Sequence, residues 1–364
     1  MPRQTFAVID TEALRHNYRM ACELAGTAKP MAVIKADGYG HGLVRVARAL
    51  AGDAGRFAVA CLEEAELLRA AGLEQPVLLL QGVHEAADLS RCETLGLEVA
   101  IHSHQQLQWL ADTDARPVLW LKVNSGMNRL GFTAAELSAI VPGLADAGFT
   151  LRGMMTHFAC ADDAASERSL SQTRVFEAAT AAWPGLWRSV GNSAAHFRPG
   201  QPLYDWSRPG IMLYGSSPMI GQQGPEAGLK AVMTLQSRLI SVRTLAPGDT
   251  VGYGDSWRAD APAVMGMVSI GYGDGYPRHA GTGTPVWVRG QRARLIGRVS
   301  MDMLAVDLTA IPGAEAGDMV ELWGANISVD EVAVHAGTIS YELLTGVTAR
   351  VPRLEAGTVA AVSR

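Results

Sequence analysis

The segment AVIKADGYGHG (residues 32–42) sets Lys35 at the end of an apolar run and Tyr39 inside a glycine-studded turn that opens a helix. A lysine held beside apolar walls loses solvation, so its neutral amine is favoured and it can form a Schiff base with a carbonyl. The glycines let backbone N–H groups and Tyr39 approach an anion closely. An isolated lysine at a strand exit would reach for solvent; these glycines favour the reactive reading. Further candidates end similar runs. Lys122 ends the fifth, with Arg129 close behind, and His157 ends the sixth. Asn192 and Ser193 end the seventh, and Arg208, Gly210 and Ile211 follow the eighth. Singly, each has a plain explanation: a core histidine, a helix cap at Asn192-Ser193, a turn at Pro209-Gly210. Five strand ends carrying such residues are harder to explain as turns alone.

The elements that must position them alternate. Short apolar runs at 31–35, 57–61, 77–81, 97–101, 118–123, 151–157 and 188–191, with a weaker one before Arg208, are spaced by amphipathic stretches at 11–24, 43–51, 62–71, 103–111, 134–145 and 166–182. Such alternation predicts parallel βαβ units. About eight units in about 215 residues predict a (β/α)₈ TIM barrel, whose catalytic groups sit at the C-terminal strand ends. The loops after strands seven and eight are a common phosphate site in that fold, and Ser193 with the amides of Gly210 and Ile211 are suitable donors. A doubly wound sheet is the competitor; it needs fewer units and usually a GxGxxG turn, absent here.

From about residue 231 the rhythm becomes strand and turn, with runs at 232–245, 263–270, 284–288, 293–298, 304–308 and 319–323. The expected organisation is a barrel over 1–230 and a mainly-β C-terminal domain over 231–364, ending in a short helical tail. In the second part VGYGDSW places Tyr253 between two glycines, where local side chains cover it poorly and it can project into a neighbouring site. A tyrosine packed on its own sheet is an equal reading. Tyr272 and the segment around Met301 lie in similar turns.

Composition limits the partners. The 364 residues carry a net charge of −5, with 48% hydrophobic and 18% charged residues, which excludes a disordered chain. No Lys/Arg run favours nucleic acid. No apolar stretch approaches the ~20 residues of a membrane span, and the first residues lack a signal-peptide pattern. Four scattered cysteines without a CxxC favour neither a disulfide framework nor a metal site and fit a reducing cytoplasm.

Taken together, AVIKADGYGHG, LKVNSGMNRLGF, MMTHFACADD, GNSAA, SRPGIMLYG, VGYGDSW, IGYGDGYPR, GRVSMD and SYELLTGVTARVPR resemble, in order and over nearly the whole chain, the alanine racemase family. The resemblance implies pyridoxal 5'-phosphate (PLP) carried on Lys35. It implies a phosphate held by Tyr39, Ser193, Gly210, Ile211 and Tyr341 with Asn192 beside it, and Arg208 at the pyridine nitrogen, oriented by His157. Arg129 and Met301 would meet the substrate carboxylate. Tyr253 would be the second base, lent by the partner in a homodimer. Tyr272, Arg278 and Arg298 would line a narrow substrate passage, and Lys122 matches a position often found as N-carboxylysine. Asn124 and Gly38 depart from the usual pattern without touching a catalytic group. The implied activity is interconversion of L- and D-alanine for peptidoglycan in the cytoplasm, with no metal. A broad-specificity or serine racemase, a related decarboxylase or a non-catalytic PLP-binding protein are the alternatives. Racemisation needs a base on each face of the α-carbon. Lysine and tyrosine both titrate near pH 10 unperturbed, so both must shift toward neutrality to serve.

Overall fold

The computed structural model describes residues 4–357. Seven parallel strands pair in chain order: Ala32–Val33, Phe57–Val59, Val77–Leu79, Leu97–Ile101, Val118–Lys122, Leu151–Met155 and Trp187–Ser189. The eighth, Trp206–Ser207, bridges the gap. Asp205 and Arg208 donate backbone N–H bonds to Arg188 and Gly191 on one side. On the other, Met31 and Val33 donate to Ser207 and Pro209. The ring is therefore closed, and a doubly wound sheet is excluded. Its strands read as continuous apolar runs because helices cover their outer faces. Leu97–Ile101, for example, is buried at every position.

The helices start where capping chemistry allows. The Asp10 carboxylate accepts from Glu12 and Ala13 N–H and opens Thr11–Ala25; Thr133 and Glu136 form a capping box for Ala134–Asp146. A helix at Asp88–Thr94 was not visible in the sequence pattern; its polar surface leaves only Leu89 and Cys92 buried, too few to set a period.

In the second part the long strand Met233–Leu245 pairs antiparallel with Met319–Trp323 and with Ala263–Val268. Leu304–Asp307, Gln291–Ile296 and Pro285–Val288 complete a ring of six. The strand Phe6–Ile9 also belongs to this sheet, antiparallel to Met233–Leu245 and parallel to Arg353–Glu355. The chain thus starts in the β sheet, crosses to the barrel, and returns. Helix Ser340–Gly346 then packs on the barrel rim, where a Cβ at Gly40 would stand 2.1 Å from the Leu344 carbonyl oxygen. Among the described residues no helix is long and apolar enough to cross a membrane.

The opposite end of the barrel is plugged. Glu98 pairs with Arg56, accepts from Trp120 Nε1 at 2.6 Å and lies 3.7 Å from Arg152. The Arg56 guanidinium lies 4.9 Å from the Trp206 ring centroid. Removing one partner of a buried pair strands the other charge, which costs about 3–5 kcal/mol. Glu98→Ala should lower the thermal unfolding midpoint by roughly 4–7 °C. The activity of the folded fraction should be unchanged, because the plug lies at the other end from the strand termini that carry Lys35 and Lys122. A midpoint within about 1 °C of the parent, followed by circular dichroism, would contradict this.

Candidate active site

The strand Ala32–Val33 ends into an unusual turn. Ala36, Asp37, Gly38, Tyr39 and Gly40 all have φ between 51° and 80°, one turn of left-handed helix. Each L-residue there costs about 1–2 kcal/mol, so the surroundings must hold it. Leu43 and Gly42 donate N–H bonds to Asp37, at its Oδ1 (2.7 Å) and its carbonyl (2.8 Å). His41, fully buried, turns Nδ1 toward the Gly38 and Tyr39 carbonyls at 3.0 and 2.8 Å. At Gly38 a Cβ would press on the Val46 side chain at 2.8 Å.

The turn puts Lys35 and Tyr39 into a cavity of about 540 Å³ at the barrel mouth, also lined by Lys122, Arg129, His157, Asn192, Ser193, Arg208, Gly210, Ile211 and Tyr341. Eleven sequence-selected residues therefore converge in one place. At one end Tyr39 stacks on Tyr214 with centroids 4.5 Å apart and lies 6.1 Å from the Tyr341 ring. Burial raises the hydroxyl pKa of both Tyr39 and Tyr341, so both stay protonated donors. Ser193 Oγ accepts from the Gly210 N–H at 2.8 Å. A Cβ at Gly210 would lie 2.3 Å from Tyr39 Oη, so this neutral hydroxyl-and-amide cradle tolerates no side chain there. Asn192 caps the turn after it, accepting from Ala195 N–H at 3.2 Å while lining the cavity.

At the other end Arg208 is 5% exposed. Its guanidinium donates to Ser189 Oγ and the Thr156 carbonyl, both at 2.5 Å, and to His157 Nδ1 at 3.4 Å. The histidine singled out in the sequence is thus the longest of three contacts; Ser189 and Thr156 were missed, being ordinary strand residues with no motif of their own. Burial lowers the Arg208 pKa to about 10, which leaves it a cation at neutral pH. Burial and the cations Arg208, Arg129, Lys122 and Lys35 hold His157 well below its usual range, so it is neutral. Lys122 donates to the Leu80 carbonyl at 3.0 Å, and burial with Arg208, Arg129 and Lys35 lowers it to about 8. Burial, then Arg129, lowers Lys35, against an opposing pull from Glu64. The cavity thus gathers two lysines and two arginines.

Tyr253, Tyr272, Arg278, Arg298 and Met301 do not line this cavity. They lie on the β domain, with Tyr253 72% and Met301 53% exposed. Four of them gather on one edge. A Cβ at Gly254 would meet the Arg298 guanidinium at 3.2 Å, and Tyr272 and Gly273 donate backbone N–H bonds to Ser300 and Met301.

The family model "Alanine racemase, N-terminal domain" matches residues 9–218, and "Alanine racemase, C-terminal domain" matches 232–355. The chain is 63% identical to an alanine racemase of Marinobacter nauticus, over 97% of this chain and 99% of that one. It is 49% identical to the catabolic alanine racemase of Pseudomonas putida, over 96% and 98%. Among solved structures, the biosynthetic alanine racemase of Pseudomonas aeruginosa matches with a TM-score of 0.94 at 46% identity, covering 97% of this chain and 99% of that chain. An alanine racemase from Bartonella henselae with covalently bound pyridoxal phosphate matches with a TM-score of 0.87 at 28% identity, over 97% and 100%.

Gly210→Ala should push Tyr39 Oη out of the cradle and weaken retention of a phosphate-bearing ligand by about tenfold or more, the scale of one lost charge-assisted hydrogen bond. Equilibrium titration of the apoprotein with PLP, followed by absorbance, measures it; parental affinity would refute the cradle.

Proposed function

The chain belongs to the alanine racemase family, and on that premise we propose that it interconverts L- and D-alanine with PLP held at Lys35. The observation that carries this is the cavity itself: a desolvated lysine between a hydroxyl-and-amide cradle and a buried arginine. The residues fit the cofactor. Tyr39, Tyr341, Ser193 and the amides of Gly210 and Ile211 suit its phosphate, Lys35 its aldehyde and Arg208 its ring nitrogen. Bound there, PLP supplies an electron sink conjugated to the substrate α-carbon.

The chain's own groups do the rest. Lys35, biased toward its neutral amine by burial and Arg129, accepts a proton from one face of Cα or returns one to it. Tyr253 does the same on the other face, and it comes from a second copy of the chain. Its exposure supports this, since a phenol facing bulk water has nothing to act on within its own subunit. Arg208 keeps its proton at neutral pH, so it would donate a hydrogen bond to the ring nitrogen of a bound cofactor without protonating it. A ring left neutral in this way would be a weaker electron sink, which would limit stray protonation. Arg129 and the partner's contribution around Met301 orient the carboxylate, and Tyr272, Arg278 and Arg298 narrow the approach. D-alanine made in the cytoplasm would feed peptidoglycan.

Burial with Arg208, Arg129 and Lys35 lowers the Lys122 pKa to about 8, so a minor share of its amine is free at neutral pH, and that free amine is the form that adds carbon dioxide. The carbamate turns a cation beside Arg129 into an anion that can accept from it. Labelled bicarbonate should give a carbamate carbon resonance in the protein that vanishes in Lys122→Ala; an unmodified Lys122 in the active enzyme would overturn this assignment.

Lys35→Ala and Tyr253→Phe should each abolish at least one half-reaction, read as solvent-proton exchange into each enantiomer, and Lys35→Ala should lose the visible absorbance of lysine-bound PLP. Mixing the two variants after dissociation should restore activity to about a quarter of the parental value, because half the random dimers rebuild one of two sites. No recovery in verified mixed dimers would place both bases in one chain.

A further inference from the structure

One carboxylate reaches the strained turn from outside it. Glu64, in the first turn of helix Leu62–Ala70, accepts from the Ala36 N–H through Oε1 at 2.6 Å and from the Ala60 N–H through Oε2 at 2.8 Å. It ties together the ends of the first two barrel strands, one residue beyond Lys35. Ala36 is also the first residue of the left-handed turn. Non-glycine backbone in this region persists only where its surroundings over-determine it. We propose that Glu64 is a positioning residue for the racemase reaction: its two hydrogen bonds anchor the turn so that Lys35 and Tyr39 face the cavity together, and its charge faces the Lys35 amine from behind.

This rests on the reading of Lys35 as the PLP lysine and a base. The other charged or titratable groups around Lys35 lie elsewhere. Arg129, Lys122, Arg208 and neutral His157 line the cavity from the neighbouring strand ends and loops, Tyr39 comes from the same turn, and Tyr341 and Glu342 come from helix Ser340–Gly346. Against that mostly positive wall Glu64 acts in the opposite sense, raising the Lys35 pKa while burial and Arg129 lower it. Without Glu64 the amine becomes a weaker base. The acid limb of the rate in the direction where Lys35 takes the proton then moves to lower pH.

The test compares the PLP-loaded full-length enzyme with Glu64→Gln and Glu64→Asp. Glu64→Gln removes the charge and can accept only one of the two N–H bonds through its single oxygen. The expected results are an acid limb lower by about half a pH unit in the Lys35 direction, a smaller change in the Tyr253 direction, and kcat down on the order of tenfold. Amide hydrogen exchange, read on apoprotein peptides containing Ala36 and Ala60, should quicken. Glu64→Asp keeps the charge but shortens the reach, so exchange quickens while the limb stays. An unmoved limb together with unchanged Ala36 exchange in Glu64→Gln overturns the proposal. Should that variant fail to fold, unchanged Ala36 exchange in Glu64→Asp overturns it alone. A parental protein that takes up no PLP or does not racemise alanine instead overturns the underlying reading, before any variant is made.

Discussion

The backbone reverses its hand between residues 36 and 40, and much else in the molecule serves that reversal. A right-handed turn after Lys35 would send Tyr39 elsewhere, because side-chain directions on the two kinds of helix differ. The left-handed path needs a glycine at Gly40 to admit the Leu344 carbonyl, and packs Gly38 against the Val46 side chain. Its first amide, at Ala36, finds an acceptor in Glu64, and the Asp37 carboxylate caps the Leu43 N–H at the start of the next helix. His41, buried and pushed down to about 4 by that burial, stays neutral and closes the far end against Tyr214. The strain beside Lys35 is balanced by packing on both domains.

Electrostatics sets the second theme. Lys35, Lys122, Arg129 and Arg208 line one cavity. Like charges this close disfavour one another, and Lys35, Lys122 and His157 are shifted toward their neutral forms by burial and by this company. The cavity therefore has two uses for the same positive field. It suits anionic groups, and together with burial it holds Lys35 and Lys122 toward their unprotonated forms.

Much of this was legible before any coordinates. The barrel could be read because its strands are short, apolar and regularly spaced, and the site because the turns after them carry lysine, histidine and glycine at strand ends. The strand Phe6–Ile9 was not legible as part of the second sheet, since its partners lie more than two hundred residues away. Nor were Ser189, Thr156 and Glu64. Their roles depend on which oxygen meets which donor across the rim, and no local spacing encodes that. Tyr253 sat between two readings in the sequence. Its 72% exposure removes the one in which it packs on its own sheet.

The long-range pairing of Phe6–Ile9 has a consequence for biosynthesis. This strand leaves the ribosome more than two hundred residues ahead of its antiparallel neighbour at Met233–Leu245, and ahead of Arg353–Glu355 by still more. An edge with unpaired backbone groups is a template for wrong partners. At about 5–20 residues per second the opening strand waits many seconds for its match. The helix that follows it can meanwhile join the growing barrel, so the nascent chain carries a sticky edge that stays open until Met233–Leu245 and Arg353–Glu355 emerge.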